Sequence, residues 1–248
     1  MKTEISNMAP PARRLPIGPL LFCFSLLLIG ISYVGIAAWR YFQPEPKPRN
    51  IAAEAEALLR ESKPEPLSQP LERLLEDARN YSAPSKDHPL IGKKAPEFAG
   101  KDVFGIKWSL AEALKKGPVI VIFYLGYHCN HCVSQLFDVN EDYSYFRELG
   151  AEVVALSPDS ASTTAARYKE FRPFGFSVLQ DPGNKIAQAY GVFTAAAGGK
   201  REELLHGTFV VDQTGVVRWA TFGEQPFSDN RTLLGEIAKI RDVSKKRS

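Results

Sequence analysis

The stretch FYLGYHCNHCVSQL, Phe123 to Leu136, holds two of the chain's three cysteines and two of its four histidines. Two residues separate Cys129 from Cys132; His128 precedes the pair and His131 lies inside it. Four such side chains in five positions admit three chemistries. A metal clip would use the thiolates with an imidazole. A redox dithiol would cycle between two thiols and one disulfide. A peroxide-reactive thiol would pass through a sulfenic acid.

What positions the pair narrows the choice. VIVIFY, Val119–Tyr124, is a continuous β-branched and aromatic run, the pattern of a strand buried on both faces. After the cysteines, apolar residues recur at Leu136, Val139, Tyr143 and Phe146 until Gly150, the pattern of a helix and its stop. Cys129 therefore falls at a helix N-terminus, where unpaired N–H groups and the helix dipole favour a thiolate. Cys132 falls one turn in, on the same side. This makes Cys129 the exposed nucleophile and Cys132 the protected resolving thiol. His131, when protonated or donating, would lower the Cys129 pKa further and make the disulfide more oxidising. A static bridge this short would close little loop entropy. A metal site would need Cys129, Cys132, a neighbouring histidine and the remote His206. A c-type haem needs a histidine directly after the second cysteine, where Val133 stands.

The chain has 248 residues and a formal net charge of +3, with no basic block that would mark a nucleic-acid partner. From Ile17 to Trp39 it carries no charge. As a helix that run would extend about 34 Å, enough to cross a bilayer. Arg13 and Arg14 precede it, and Trp39, Arg40, Tyr41 and Phe42 follow. We read 17–39 as a single-pass anchor, longer than the usual signal-peptide core, with Cys23 as a small apolar residue inside it. Lys2, Arg13 and Arg14 favour a cytoplasmic segment 1–16, which puts the bulk of the chain outside the cytoplasm, periplasmic if bacterial. Disulfides persist there.

Residues 40–88 read as a proline-rich linker with two short helices, IAAEAEALLRES and LERLLEDARNY. These would form a stalk or pack on the domain's side. Residues 89–243 read as a compact α/β domain and 244–248 as a basic tail. After the dithiol helix come a strand at AEVVALS, a helix near Thr163–Phe171, a strand near Phe176–Leu179 and a helix near Lys185–Tyr190. GTFVVD and VVRWAT flank QTG as a hairpin turning at Gly215, and a helix capped near Asp229 or Asn230 ends the domain. The strand–helix–strand units imply a parallel core and the hairpin adds antiparallel strands, so the sheet is mixed. Trp108 and Ser109 read as a strand end and an N-cap. Glu97 and Asp102 read as surface carboxylates, Phe174 and Phe176 as core or site rim, and Asp212 as part of the hairpin turn.

Three segments, IGKKAPEF, VIVIFYLGYHCNHC and GTFVVDQTGVVRWA, carry a resemblance. The domain resembles the thioredoxin-like redoxins, in the peroxiredoxin-like branch of AhpC/TSA type, over roughly Pro89 to Val243. The resemblance implies a thioredoxin-like fold, a central mixed sheet flanked by helices. Peroxiredoxins carry Thr-Pro-x-Cys and an arginine near the later strand. Matched to that pattern, Cys132 falls at the peroxidatic cysteine, Cys129 at the threonine, Asn130 at the proline and His206 at or near the arginine. Three of the four peroxide-binding features are therefore altered, with Arg201 the conceivable substitute for the arginine. Thioredoxins place a cis-proline near the position of His206, and that proline is absent here. Cys-x-His-Cys is also the arrangement in strongly oxidising periplasmic disulfide catalysts, which supports the direction of the His131 effect.

The expected function is membrane-anchored thiol–disulfide exchange by Cys129 and Cys132, with His131 and His206 as the accompanying site residues. It requires no organic cofactor. The partner is a thiol or disulfide protein, or a hydroperoxide if the protein is a thiol peroxidase working through Cys132. A Cu(I) carrier is the third alternative.

Overall fold

The computed structural model describes residues 49–63, 65–198 and 201–245, together with Gly35 and Trp39. Apart from those two positions, the expected anchor 17–39 lies outside the described residues, as do segment 1–16 and the last three residues of the tail. No helix among the described residues is long and apolar enough to cross a membrane. The described residues from Asn50 onward form one compact unit.

A five-stranded sheet forms its centre. Its strands are β3 (Val119–Phe123), β4 (Glu152–Ser157), β5 (Ser177–Gln180), β8 (His206–Val211) and β9 (Val217–Gly223), ordered β5-β4-β3-β8-β9. β3, β4 and β5 are parallel; β8 runs antiparallel to β3, and β9 antiparallel to β8. The sheet is thus mixed, as the sequence pattern implies. Successive side chains of a strand point to opposite faces. Accordingly Ile120, Ile122 and Tyr124 enter one core and Val119, Val121 and Phe123 the other. Both faces are covered, which is why the run contains no polar residue.

Two short hairpins, β1 (Ala99–Lys101) with β2 (Lys107–Ser109) and β6 (Phe193–Thr194) with β7 (Glu203–Leu204), lie outside the main sheet. Ser109 accepts from the Glu112 N–H and caps α3 (Leu110–Leu114). The β8–β9 turn contains Gly215 at φ 78°, a left-handed conformation that glycine adopts without penalty. Asp212 Oδ1 accepts there from the N–H groups of Thr214 and Val216.

The dithiol helix differs from its expected extent. It is broken into α4 (Asn130–Glu141) and α5 (Tyr143–Glu148). The break falls at Asp142, whose ψ is 8°. Its buried carboxylate is held by Lys63 Nζ at 2.5 Å, Asn230 Nδ2 at 2.8 Å and the Leu67 N–H at 3.3 Å. These partners come from outside the helix, so a helical period cannot announce them. The remaining helices are α6 (Ala161–Arg167), α7 (Lys185–Ala189) and α8 (Asn230–Lys245), the last capped by Asp229 through the Thr232 N–H.

Both helices expected in segment 40–88 form, as α1 (Ile51–Ser62) and α2 (Leu71–Tyr81), and both pack on the body. Asn50 Oδ1 accepts from the Ala53 N–H and caps α1. Ile51, Ala55 and Leu59, spaced at i, i+4 and i+8, form the buried stripe of α1, and Ile51 and Ala55 join the core that holds Cys132, Val133, Leu136 and Val139 of α4. At the far end of α4, Arg60 pairs with Glu141 and Lys63 with Asp138 and Asp142. α2 packs against α8.

Candidate functional site

The site lies at the carboxyl ends of β3 and β4, the edge at which parallel sheets carry their ligands. The chain leaves β3 at Phe123 and reaches Cys129 through a short loop. Gly126 has φ 113° there, and a Cβ would lie 2.9 Å from Asp159 Oδ1. That carboxylate holds the loop by accepting from the Tyr127 N–H at 2.7 Å.

Cys129 is the N-cap of α4, as its position between strand and helix implies. It forms a disulfide with Cys132, the Cα atoms 5.3 Å apart. The Cys132 N–H also points at Cys129 Sγ, 3.2 Å away. Once the bridge opens, that donor and the helix N-terminus face a Cys129 thiolate. Cys129 is half-buried, whereas Cys132 is 0% exposed.

Register brings in the third member. Phe123 pairs with Gly207 across the antiparallel ladder, so β8 begins at His206 beside the end of β3. His206 is 5% exposed, and its Nε2 lies 3.0 Å from Cys132 Sγ and 4.0 Å from Cys129 Sγ. Nδ1 lies 3.3 Å from the Gly223 carbonyl. A carbonyl only accepts, so the hydrogen of the neutral ring sits on Nδ1 and Nε2 turns its lone pair to the sulfurs. Burial lowers the His206 pKa below the usual imidazole value; the Gly223 and Glu224 carbonyls oppose the shift, and the charge of His131 adds to it. The neutral ring is therefore the resting form at neutral pH, a weak base beside a buried sulfur.

His131 and His128 are exposed. Arg201 is exposed, and the position facing Cys132 belongs to His206. Glu97 is exposed, and Asp102 holds the β1–β2 turn by accepting from the Phe104 and Ile106 N–H groups. Phe174 and Phe176 stack in the core, centroids 5.1 Å apart. No cis peptide occurs among the described residues, so His206 enters β8 through a trans bond.

Two further contacts define the site. Gln135, one turn beyond Cys132, donates to Thr208 Oγ1 at 3.1 Å and ties α4 to the strand that carries His206. A buried glutamine at a helical core position was the available signal. Glu54 of α1 accepts from Asn130 Nδ2 at 3.0 Å, and Asn130 Oδ1 accepts from the His131 N–H. A carboxylate thus stands beside the first turn of α4 and opposes the dipole that favours the Cys129 thiolate. In a Cys132→Ser background, Glu54→Gln is expected to raise the alkylation rate of Cys129 at pH 6 about threefold, the effect of one partly screened charge. An unchanged or slower rate in a stopped alkylation assay would refute the effect.

Among the described residues, Cys129, Cys132 and His206 are the group of three cysteine, histidine or acidic residues whose ligand atoms converge, all within 4.8 Å of one another. With the sulfurs bonded to each other, no thiolate is available. Reduction would release both.

The AhpC/TSA family model matches residues 91–220. The chain is 35% identical over 130 residues to the chloroplastic peroxiredoxin Q of Populus jackii, which covers 51% of this chain and 57% of that protein. It is 30% identical over 155 residues to the thiol-disulfide oxidoreductase ResA of Bacillus thuringiensis strain Al Hakam, covering 62% and 81%. It therefore spans less than two thirds of the length of the first of these relatives. Among solved structures, the peroxidoxin BcpB of Mycobacterium tuberculosis superposes with a TM-score of 0.53 at 25% identity, covering 63% of this chain and 99% of that one.

Proposed function

This chain belongs to the AhpC/TSA family, and from that premise we propose that it is a thiol–disulfide oxidoreductase in which Cys129 attacks and Cys132 resolves. The observation that carries the reading is the inequality of the two sulfurs. Cys129 is half-buried at a helix N-terminus, whereas Cys132 is enclosed with His206 Nε2 3.0 Å away.

In the reducing direction the Cys129 thiolate attacks a substrate disulfide. One substrate sulfur leaves as thiolate and the other stays bonded to Cys129. His206 Nε2 then takes the proton of Cys132, whose sulfur attacks Cys129 and releases the second substrate thiolate. Two electrons pass to the substrate and the Cys129–Cys132 bridge forms. A dithiol partner restores the pair by the same exchange run in reverse. No organic cofactor enters.

The peroxidase alternative makes Cys132 the first sulfur to react, in keeping with its match to the peroxidatic position. Its complete burial weighs against direct entry of peroxide. The localisation we propose remains extracytoplasmic, with the apolar run 17–39 as tether; recovery in the membrane fraction after an alkaline wash tests that placement.

The test of the exchange reading is iodoacetamide labelling of the gently reduced domain across pH. Cys129 is expected to react well below about pH 8.5, the range of an ordinary thiol, and Cys132 slowly at every pH. Equal, slow labelling of both would overturn the assignment.

A further inference from the structure

Thiolate sulfurs are strong ligands for soft metal ions. The reduced state of this site releases two of them, Cys132 fully buried and Cys129 half-buried. Three donors converge here: Cys129 Sγ, Cys132 Sγ and His206 Nε2 lie within 4.8 Å of one another. A three-coordinate ion with bonds of about 2.0–2.3 Å, the lengths zinc makes with the same ligand types, separates its donors by roughly 3.7–4.0 Å. The 4.0 Å from His206 Nε2 to Cys129 Sγ already falls in that range. The 3.0 Å to Cys132 Sγ and the sulfur–sulfur bond must both lengthen. Reduction of the bridge is the change that separates the two sulfurs.

A second observation points the same way. Histidines that bind metals hold the other ring nitrogen on a carbonyl or carboxylate, which fixes ring and tautomer. His206 Nδ1 is held by the Gly223 carbonyl at 3.3 Å, and Gly223 is fixed opposite His206 by the β8–β9 ladder. The Nε2 lone pair is thereby aimed at the sulfurs before any ion arrives.

We infer that the reduced protein binds one cuprous ion through Cys129 Sγ, Cys132 Sγ and His206 Nε2. Zinc sites in proteins favour four ligands, and the converging set supplies three. Cu(I) accepts three, and thiolates select it over harder ions. Binding follows a two-electron reduction of the bridge by a dithiol and releases the protons that the two sulfurs still carry. The oxidised protein offers no thiolate and so binds no copper, which makes binding a reporter of redox state.

The inference requires that the pair be reducible and does not depend on which cysteine attacks a substrate. The experiment is an anaerobic titration of the reduced full chain with Cu(I), using bicinchoninate as coloured competitor. Expected are one ion per chain, none on the oxidised protein, and at least tenfold weaker binding in His206→Ala. X-ray absorption should report two sulfurs and one nitrogen. His206→Asn, closer to histidine in size, guards against a folding artefact. Two titratable thiols without copper uptake would overturn this inference and leave thiol exchange standing. Binding as tight as wild type by His206→Ala and His206→Asn, or tighter binding of Zn(II) than of Cu(I), would also overturn it.

Discussion

Cys132→Ser is expected to arrest the reaction halfway, leaving a substrate sulfur bonded to Cys129 and no turnover. With the resolving sulfur gone, the mixed disulfide has no internal route out, because Cys132 is the sulfur placed to close a bridge with Cys129. Mass spectrometry of the intact protein should show one substrate adduct per chain, removable by a reducing agent. His206→Ala should slow the same step without abolishing it. The Nε2 atom 3.0 Å from Cys132 Sγ is the base placed to take its proton, and a positioned base contributes on the order of 10²–10⁴-fold. The loss should shrink as pH rises and hydroxide replaces the imidazole. Hydrogen peroxide gives the contrary outcome a clear signature. If Cys132 reacts first, Cys129→Ser will retain a sulfenic acid on Cys132, and Cys132→Ser will be inert to peroxide. Such a result would replace exchange by peroxide reduction as the primary reading.

Much of this machinery is legible in the sequence, because local pattern determines it. Val119–Phe123 has no polar residue and so must be covered on both sides. The cysteines follow at the strand-to-helix junction, which makes Cys129 the cap. The resemblance placed His206 at or near the position that faces the reactive sulfur, but which ring nitrogen meets Cys132 was not legible. That depends on Gly207 pairing with Phe123 and on Gly223 pairing with His206. Glu54 and Asn130 are 76 positions apart, and Lys63 and Asp138 are 75. No periodicity spans such gaps. The same holds for the break at Asp142, where Lys63 and Leu67 from one segment and Asn230 from another override the helical pattern. α1 presented an amphipathic stripe in the sequence, and a stripe states that a surface must be covered without naming the partner. The structure names α4, the helix that carries the dithiol.

That packing supplies the second large effect. Lys63→Met is expected to cost about 3–5 kcal/mol of stability at pH 7, the usual cost of removing one partner from a buried ion pair. Lys63 Nζ serves two carboxylates, Asp138 at 2.7 Å and Asp142 at 2.5 Å, whose side chains are 2% and 0% exposed. Methionine fills the volume, so the loss is electrostatic rather than a cavity. The pH dependence identifies it. Burial raises the Asp138 carboxyl to about 6; Lys63 holds it down, and Asp142 and Glu141 push it up. Its folded pKa lies above the unfolded value of about 3.9, so the folded state binds the extra proton between these values. The stability Asp138 contributes is therefore fully present below about pH 4 and is lost as pH rises through about 6. Without Lys63 the carboxyl is raised further, and acid relieves more of the penalty. Urea midpoints should consequently separate wild type from Lys63→Met more at pH 7 than at pH 5, and Asp138→Asn should flatten the wild-type slope between pH 4 and 6. A cost below about 1 kcal/mol, or one equal at both pH values, would show that the pair is not the clamp. Because the clamp grips the carboxyl end of α4 while the dithiol caps its amino end, the variant should also loosen the reactive turn. Cys132 labelling in Lys63→Met measures that loosening directly, and it should accelerate while the fold still holds.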